Sequence, residues 1–106
     1  MSEVDAGQNI LMTIKAGMAI RARDEVLDAL VQMAGLYIER GLTQEGADVL
    51  AFVMRCETIP GDIEEAAVEL WEDLERWICP RVLLDAENFA KKAYLEDVVE
   101  YVFAGI

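Results

Sequence analysis

The feature that most constrains this chain is a pair of apolar runs, Val26 to Glu39 and Gln44 to Met54, separated by a short break around Gly41. In the first run the polar residues Asp28, Gln32 and Glu39 recur at helical spacing with Gly35 in the same stripe, and the rest of the circumference is apolar. A helix wetted along one narrow strip needs cover on two or more sides, which makes it a central element rather than a surface one. It is expected to close at Arg40-Gly41, a basic last-turn residue followed by the glycine that a left-handed C-terminal cap favours. Thr43 is expected to cap the next helix, Gln44 to about Cys56. There Ala47, Val49, Leu50, Phe52, Val53 and Met54 oppose a polar set of Gln44, Glu45, Asp48 and Arg55. So short a break makes the two helices antiparallel neighbours, a helical hairpin.

The flanking segments read as helices too. Residues 1–8 look like a loose lead-in, followed by a helix from about Asn9 to Ile20 with Ile10, Leu11, Ile14 and Met18 on its apolar side. Gly17 is a weak point in it, worth about 1 kcal/mol relative to alanine. Asp24 is the expected N-cap of the central helix. After the hairpin, Thr58-Ile59-Pro60-Gly61 is a strong breaker, and Asp62 with Glu65 forms an acidic version of the capping box. The helix Ile63 to Ile78 sets Ile63, Ala66, Ala67, Leu70, Trp71, Leu74, Trp77 and Ile78 against a solvated row of Glu64, Glu65, Glu69, Glu72, Asp73 and Glu75. Cys79-Pro80 ends it, and two shorter helices follow, Arg81 to Lys92 and Leu95 to Ala104. Strand-like alternation is missing throughout. The expectation is one all-α domain over residues 1–106, with a hairpin array over 9–78 and C-terminal cap helices over 80–106.

A chain of 106 residues supports one core. Its hydrophobic fraction of 55% and mean hydropathy of +0.22 are high for that size, so apolar surface is expected to remain after folding and to serve association. The best apolar run, Ala29 to Ile38, is about half what a membrane span needs. The start, Met-Ser-Glu-Val-Asp, is acidic where a secretory signal would be basic, and the expected compartment is the cytoplasm. With 9 basic against 21 acidic residues the net charge is −12, and the bases are scattered among acids. Such a chain repels phosphate, so no nucleic-acid binding is expected.

Catalytic chemistry has little to work with. The chain has no histidine, and its one serine is Ser2. Triads, imidazole metal sites and most general-base routes are thereby removed. Phosphate-cradling glycine loops are absent. The row Glu65, Glu69, Glu72 and Asp73 could face a cation, yet di-metal helical sites pair such glutamates with histidines, and a solvated face is the reading adopted. Cys56 and Cys79 belong to no Cys-x-x-Cys unit; they are expected to be reduced, buried at helix ends, with a redox pair as the alternative. Arg55 and Arg81 neighbour the thiols in sequence. Trp71 and Trp77 are expected in the core, and Met12, Met18, Met33 and Met54 as gap-fillers before plastic binding surface. No enzyme activity, metal or cofactor is expected.

From Met33 onward the hairpin resembles a tetratricopeptide repeat. Met33-Ala34 stand where a large and a small residue meet, Tyr37 is the first helix's aromatic, Gly41 marks the turn, Gly46 is the small residue of the second helix and Leu50 the bulky one. The closing proline is displaced, with Thr58 at its site and Pro60 two residues on. A broader likeness runs from Val26-Leu27-Asp28-Ala29-Leu30 to the end. Gly41 to Met54, Leu70 to Glu75, Cys79-Pro80-Arg81-Val82 and Leu95-Glu96-Asp97-Val98-Val99 are similar to the C-terminal tail of large bacterial multi-domain regulatory and signalling proteins, whose repeat arrays end this way. Arg55-Cys56-Glu57 departs from the histidine and proline usual there, and Tyr94 sits where Ser or Thr would cap the last helix. The resemblance implies a right-handed array of about five helices with short capping helices, and it supplies no active site.

One repeat with its caps is fewer than a free-standing array needs, because each unit buries its face on a neighbour. The face formed by Ile10, Leu11, Ile14 and Met18 is therefore expected to bind a protein partner, a second copy or a larger regulatory chain. The function expected is a non-enzymatic interaction or terminal capping module, homo-oligomeric, in bacterial regulation or signalling. The alternative is a small acidic inhibitor imitating nucleic acid, which would line carboxylates roughly 6 to 7 Å apart along one edge.

Overall fold

The computed structural model describes residues 3–104, with side chains from Gly7 onward. Six helices follow one another: α1 (Glu3–Ala19), α2 (Arg23–Glu39), α3 (Thr43–Arg55), α4 (Gly61–Trp77), α5 (Pro80–Lys92) and α6 (Leu95–Ala104). The all-α expectation holds, with no strand among the described residues. Of the expected lead-in, Met1 and Ser2 lie outside the described residues, while 3–8 are already helical. Gly7 is buried where it faces Leu36 of α2 and Arg40 just past its end, so α1 already has a neighbour at that residue.

The seam on α2 is where the sequence places it. Asp28, Gln32 and Glu39 are exposed and Gly35 half-buried, while Val26, Leu27, Ala29, Leu30, Val31, Met33, Ala34 and Tyr37 are buried. That burial is shared among α1, α3 and α4, all of which pack on α2. The most enclosed element, however, is α3. Every residue from Gly46 to Val53 is buried, because α2, α4 and α5 surround it. Against it α5 turns only the methyl groups of Ala86 and Ala90 fully inward, and small side chains let two helix axes approach closely. The radius of gyration of 12.8 Å is what a single compact domain of this length has, about 13 Å.

None of the capping residues expected at Asp24, Thr43 and Asp62 caps. The helices begin slightly earlier, after Ala22, Leu42 and Pro60, without a side-chain cap bond. Asp24 and Asp62 sit instead inside the first turn, where a negative charge meets the positive end of the helix dipole. At α6 the half-cap is reversed: the Tyr94 backbone N–H donates to Asp97 Oδ2 at 2.8 Å. Gly17 is likewise more than a weak point, since a Cβ there would come within 2.6 Å of Val26 Cγ2.

The two leading turns are built alike. After α2, Gly41 adopts φ 82° and the Leu42 N–H donates to Tyr37 O at 2.8 Å, the six-residue bond of a Schellman cap. After α1 the same bond runs from Ala22 N–H to Gly17 O at 2.8 Å, but the left-handed residue is Arg21, with φ 57°. A side chain there is strained by roughly 1 kcal/mol or more, part of which glycine's larger unfolded-state entropy would offset. Arg21→Gly is accordingly expected to raise stability by about 0.5 kcal/mol. Equilibrium urea unfolding reads it, and a loss of stability would show that the arginine side chain holds the turn.

Candidate functional site

Two arrangements stand out: a buried polar cluster and an exposed apolar groove. The cluster is centred on Asp48, which is 6% exposed and so belongs to the core, not to the wet side of α3. Gln44 Nε2 donates to Asp48 Oδ1 at 2.8 Å and to Val82 O at 3.1 Å, tying α3 to α5. Tyr101 Oη donates to Asp48 Oδ2 at 2.9 Å, and Tyr37 Oη donates to Val102 O at 3.3 Å, tying α6 to α3 and α2. Phe89 packs on Tyr101 with ring centroids 5.2 Å apart. No buried side-chain nitrogen or oxygen among the described residues lacks a partner. A fully satisfied network of this kind fixes one docking of its elements. Here it seats the last two helices on α2 and α3, with Gln44 and Tyr101 half-buried at its edge.

Burial raises the Asp48 carboxyl above its ordinary value of 3.8, against the lowering effect of its bonds from Gln44 and Tyr101; Glu45 and Asp85 add to the rise. Tyr101 and Tyr37 are raised as well, both chiefly by burial. For an acid whose folded pKa is raised, the folded state holds the proton more tightly than the unfolded one. Its contribution to stability is therefore complete below 3.8 and is lost as pH rises through the raised value. Asp48→Asn keeps an acceptor for Gln44 and removes the charge. Thermal melts of both proteins across pH should show the variant gaining on the parent as pH rises from 3.8 toward neutrality. The opposite slope would mean that the network favours the carboxylate.

The groove lies between α2 and α4, lined by Ile38, Leu70, Asp73, Leu74, Arg76 and Trp77. Trp77, the last residue of α4, is expected in the core but is 59% exposed; Trp71, one helical face round, is buried as expected. Arg76 Nη1 meets Asp73 Oδ1 at 3.3 Å on the rim. Ile38 and Leu70 are half-buried, so the groove has an apolar floor and a charged edge. Such a surface can accept an apolar side chain, and its one carboxylate, Asp73, is paired with Arg76.

The expected partner face of α1 is differently placed. Ile14 is 0% exposed, and Ile10, Leu11 and Met18 are half-buried against the core. The four point toward α2 because a lone helix buries its most apolar stripe on the nearest cover, which its own chain provides. Ile14 is thus a core residue, and a partner could reach only the rims of the other three.

The thiols are free. Cys79 is exposed, contrary to expectation, at the N-cap of α5. Cys56 is half-buried and donates to Phe52 O at 3.5 Å. Burial pushes the Cys56 thiol up, and the arginine beside it is Arg23, not Arg55. Arg23 also donates to Thr58 O at 2.6 Å, so it serves the loop between α3 and α4. Arg81 bonds Asp85 at 3.3 Å and not the Cys79 thiol. Glu64, Glu65, Glu69, Glu72, Asp73 and Glu75 are all exposed. Among the described residues no group of three or more cysteine and carboxylate side chains is placed to hold a metal, and no helix is long and apolar enough to cross a membrane.

Compared with models of known protein families, with curated proteins and with solved structures, the chain matches none of them.

Proposed function

We propose that this chain is a non-enzymatic helical module that works by protein contact, a terminal cap of tetratricopeptide kind in a bacterial regulatory or signalling assembly. The observation that carries the reading is Trp77, a large apolar side chain left 59% exposed beside the groove of Ile38 and Leu70. Tryptophan is among the residues most enriched at the anchor points of protein interfaces. The hairpin reading has support as well. Gly46 at the start of α3 lies against Ala34 and Ile38 near the end of α2, while Arg23 at the start of α2 reaches Thr58 beyond the end of α3. Each of α2 and α3 also packs on the next helix and the next but one, as stacked hairpins do.

The solvated face of α4 keeps the second reading in play. Glu65 and Glu69 stand just over one turn apart, and four residues of helix rise about 6 Å, close to a phosphate interval. Capture from the source cell with tagged wild type and with Trp77→Glu separates the two. A discrete set of proteins that the variant fails to retain supports the contact module. A set dominated by DNA-binding proteins, kept by the variant and released by duplex DNA, would favour mimicry. No enrichment at all would overturn the module.

A further inference from the structure

Where α3, α4 and α5 meet, a cleft of about 230 Å³ opens to the surface. Ala51 of α3 and Ala90 of α5, both buried, bring only methyl groups to its wall and so leave the space. Trp71 and the half-buried Met54 complete the apolar part, and an unbranched methionine can adjust to a guest. The charges at the cleft are Arg55 and Lys91 against one carboxylate, Glu87. In a chain with 21 acids to 9 bases this is a local reversal of sign. The ion pairs among the described residues are Arg76–Asp73 and Arg81–Asp85, so Arg55 and Lys91 are both left without an acidic partner there. The Trp71 indole N–H likewise donates to no other described residue. Since no buried side-chain nitrogen among them lacks a partner, this N–H reaches solvent although the residue is only 8% exposed.

Size and charge together choose the guest. The volume exceeds the roughly 150 Å³ in which an apolar cavity admits benzene, and falls short of the roughly 300 Å³ at which pockets for larger ligands begin. One ring on a short arm fits it. A surplus of one positive charge suits a monoanion: a phosphate dianion would set twice the charge against Glu87, and a neutral ligand would leave Arg55 and Lys91 unused. We propose that this cleft binds a small amphipathic carboxylate, its ring against Trp71 and Met54 and its charge between Arg55 and Lys91. The site goes beyond the contact module and shares no residue with the groove at Trp77.

Titration of the nitrogen-15-labelled full chain with 3-phenylpropionate, followed in proton–nitrogen correlation spectra, tests it. Saturable shifts are expected at the amides of Arg55, Glu87 and Lys91 and at the Trp71 indole N–H, with a dissociation constant of about 1 mM or lower. Trp77→Phe assigns that indole signal by leaving Trp71 the one tryptophan. The uncharged 3-phenylpropan-1-ol, of the same ring and arm, should bind about tenfold more weakly. Arg55→Gln and Lys91→Gln should each weaken the acid several-fold, and Glu87→Gln should tighten it. All three positions are exposed, so the fold should tolerate the changes. The absence of saturable shifts at the cleft overturns the proposal, as does an alcohol that binds as well as the acid. So does an affinity for the acid that the three glutamine variants leave unchanged, since that is apolar adhesion alone. A cleft that takes no acid in a chain that still captures proteins through Trp77 refutes the site and leaves the module standing.

Discussion

Truncating Leu50 to alanine is expected to lower the unfolding free energy by about 3 to 5 kcal/mol, the upper part of the range for buried leucines. Leu50 is fully buried at the middle of α3, the helix enclosed by α2, α4 and α5. A cavity there is walled by helix backbones on three sides, and little can move in to fill it. The loss is the transfer free energy of the deleted methyl and methylene groups plus the contacts their neighbours forfeit. Domains of this size hold about 5 to 15 kcal/mol in all, so a third or more of the stability would go. Urea unfolding at an unchanged denaturant slope measures it, and a melting-temperature drop of roughly 15 °C or more should accompany it. A loss below about 1 kcal/mol would mean that the centre of the core lies elsewhere.

The second large effect comes from adding one carbon instead of removing three. At Gly46 a Cβ would stand 2.7 Å from Ile38 Cγ1 and 3.0 Å from the backbone oxygen of Ala34. The isoleucine can shift by rotation, but the carbonyl is part of α2 and cannot yield unless the helix moves. Overpacking of this sort costs about 1 to 3 kcal/mol, which outweighs the gain of nearly 1 kcal/mol that alanine brings over glycine inside a helix. Gly46→Ala should therefore destabilise by roughly 1 to 2 kcal/mol. Gly35→Ala is the matched control. Its Cβ would meet only Leu70 Cδ1, at 3.8 Å, an ordinary contact. There the propensity term is unopposed, and the variant should gain up to about 1 kcal/mol. Opposite signs at two helical glycines, read in the same denaturant titration, are the expected result. A gain at both would show that α2 and α3 stand farther apart than these distances place them.

The pattern of what could be read from the chain follows the range of the forces involved. The narrow seam of Asp28, Gln32 and Glu39 and the turn glycine Gly41 express local periodicity and local backbone freedom, and both stand where the residues put them. Gly46 lies close to Ala34 and Ile38, a contact between helices that its own neighbours in the chain do not announce. Asp48 could not be read locally either. On a helical wheel it joins Gln44 and Glu45, and only the arrival of Tyr101 from 53 residues away turns that side inward. A lone acid within the run Gly46 to Val53 was the available signal, but periodicity alone does not say which side a later helix will cover. Trp77, expected inside, is exposed, and Ile14, on the face expected to meet a partner, is buried, for one reason. An apolar stripe shows that burial is wanted, not whether the chain's own helices or another body will provide it.

By itself, then, the order of residues determined the six helical segments, the punctuation between them and the poverty of catalytic groups. These depend on neighbours within a few positions, where sterics, helix period and charge act directly. Only the tertiary structure decided that α3 and not α2 lies deepest, that Asp48 is a core group, and that Trp77 and Met12 are left facing water. Those outcomes turn on which of several comparable apolar faces meet first and fill space best, a property of the packed whole that no local stretch encodes.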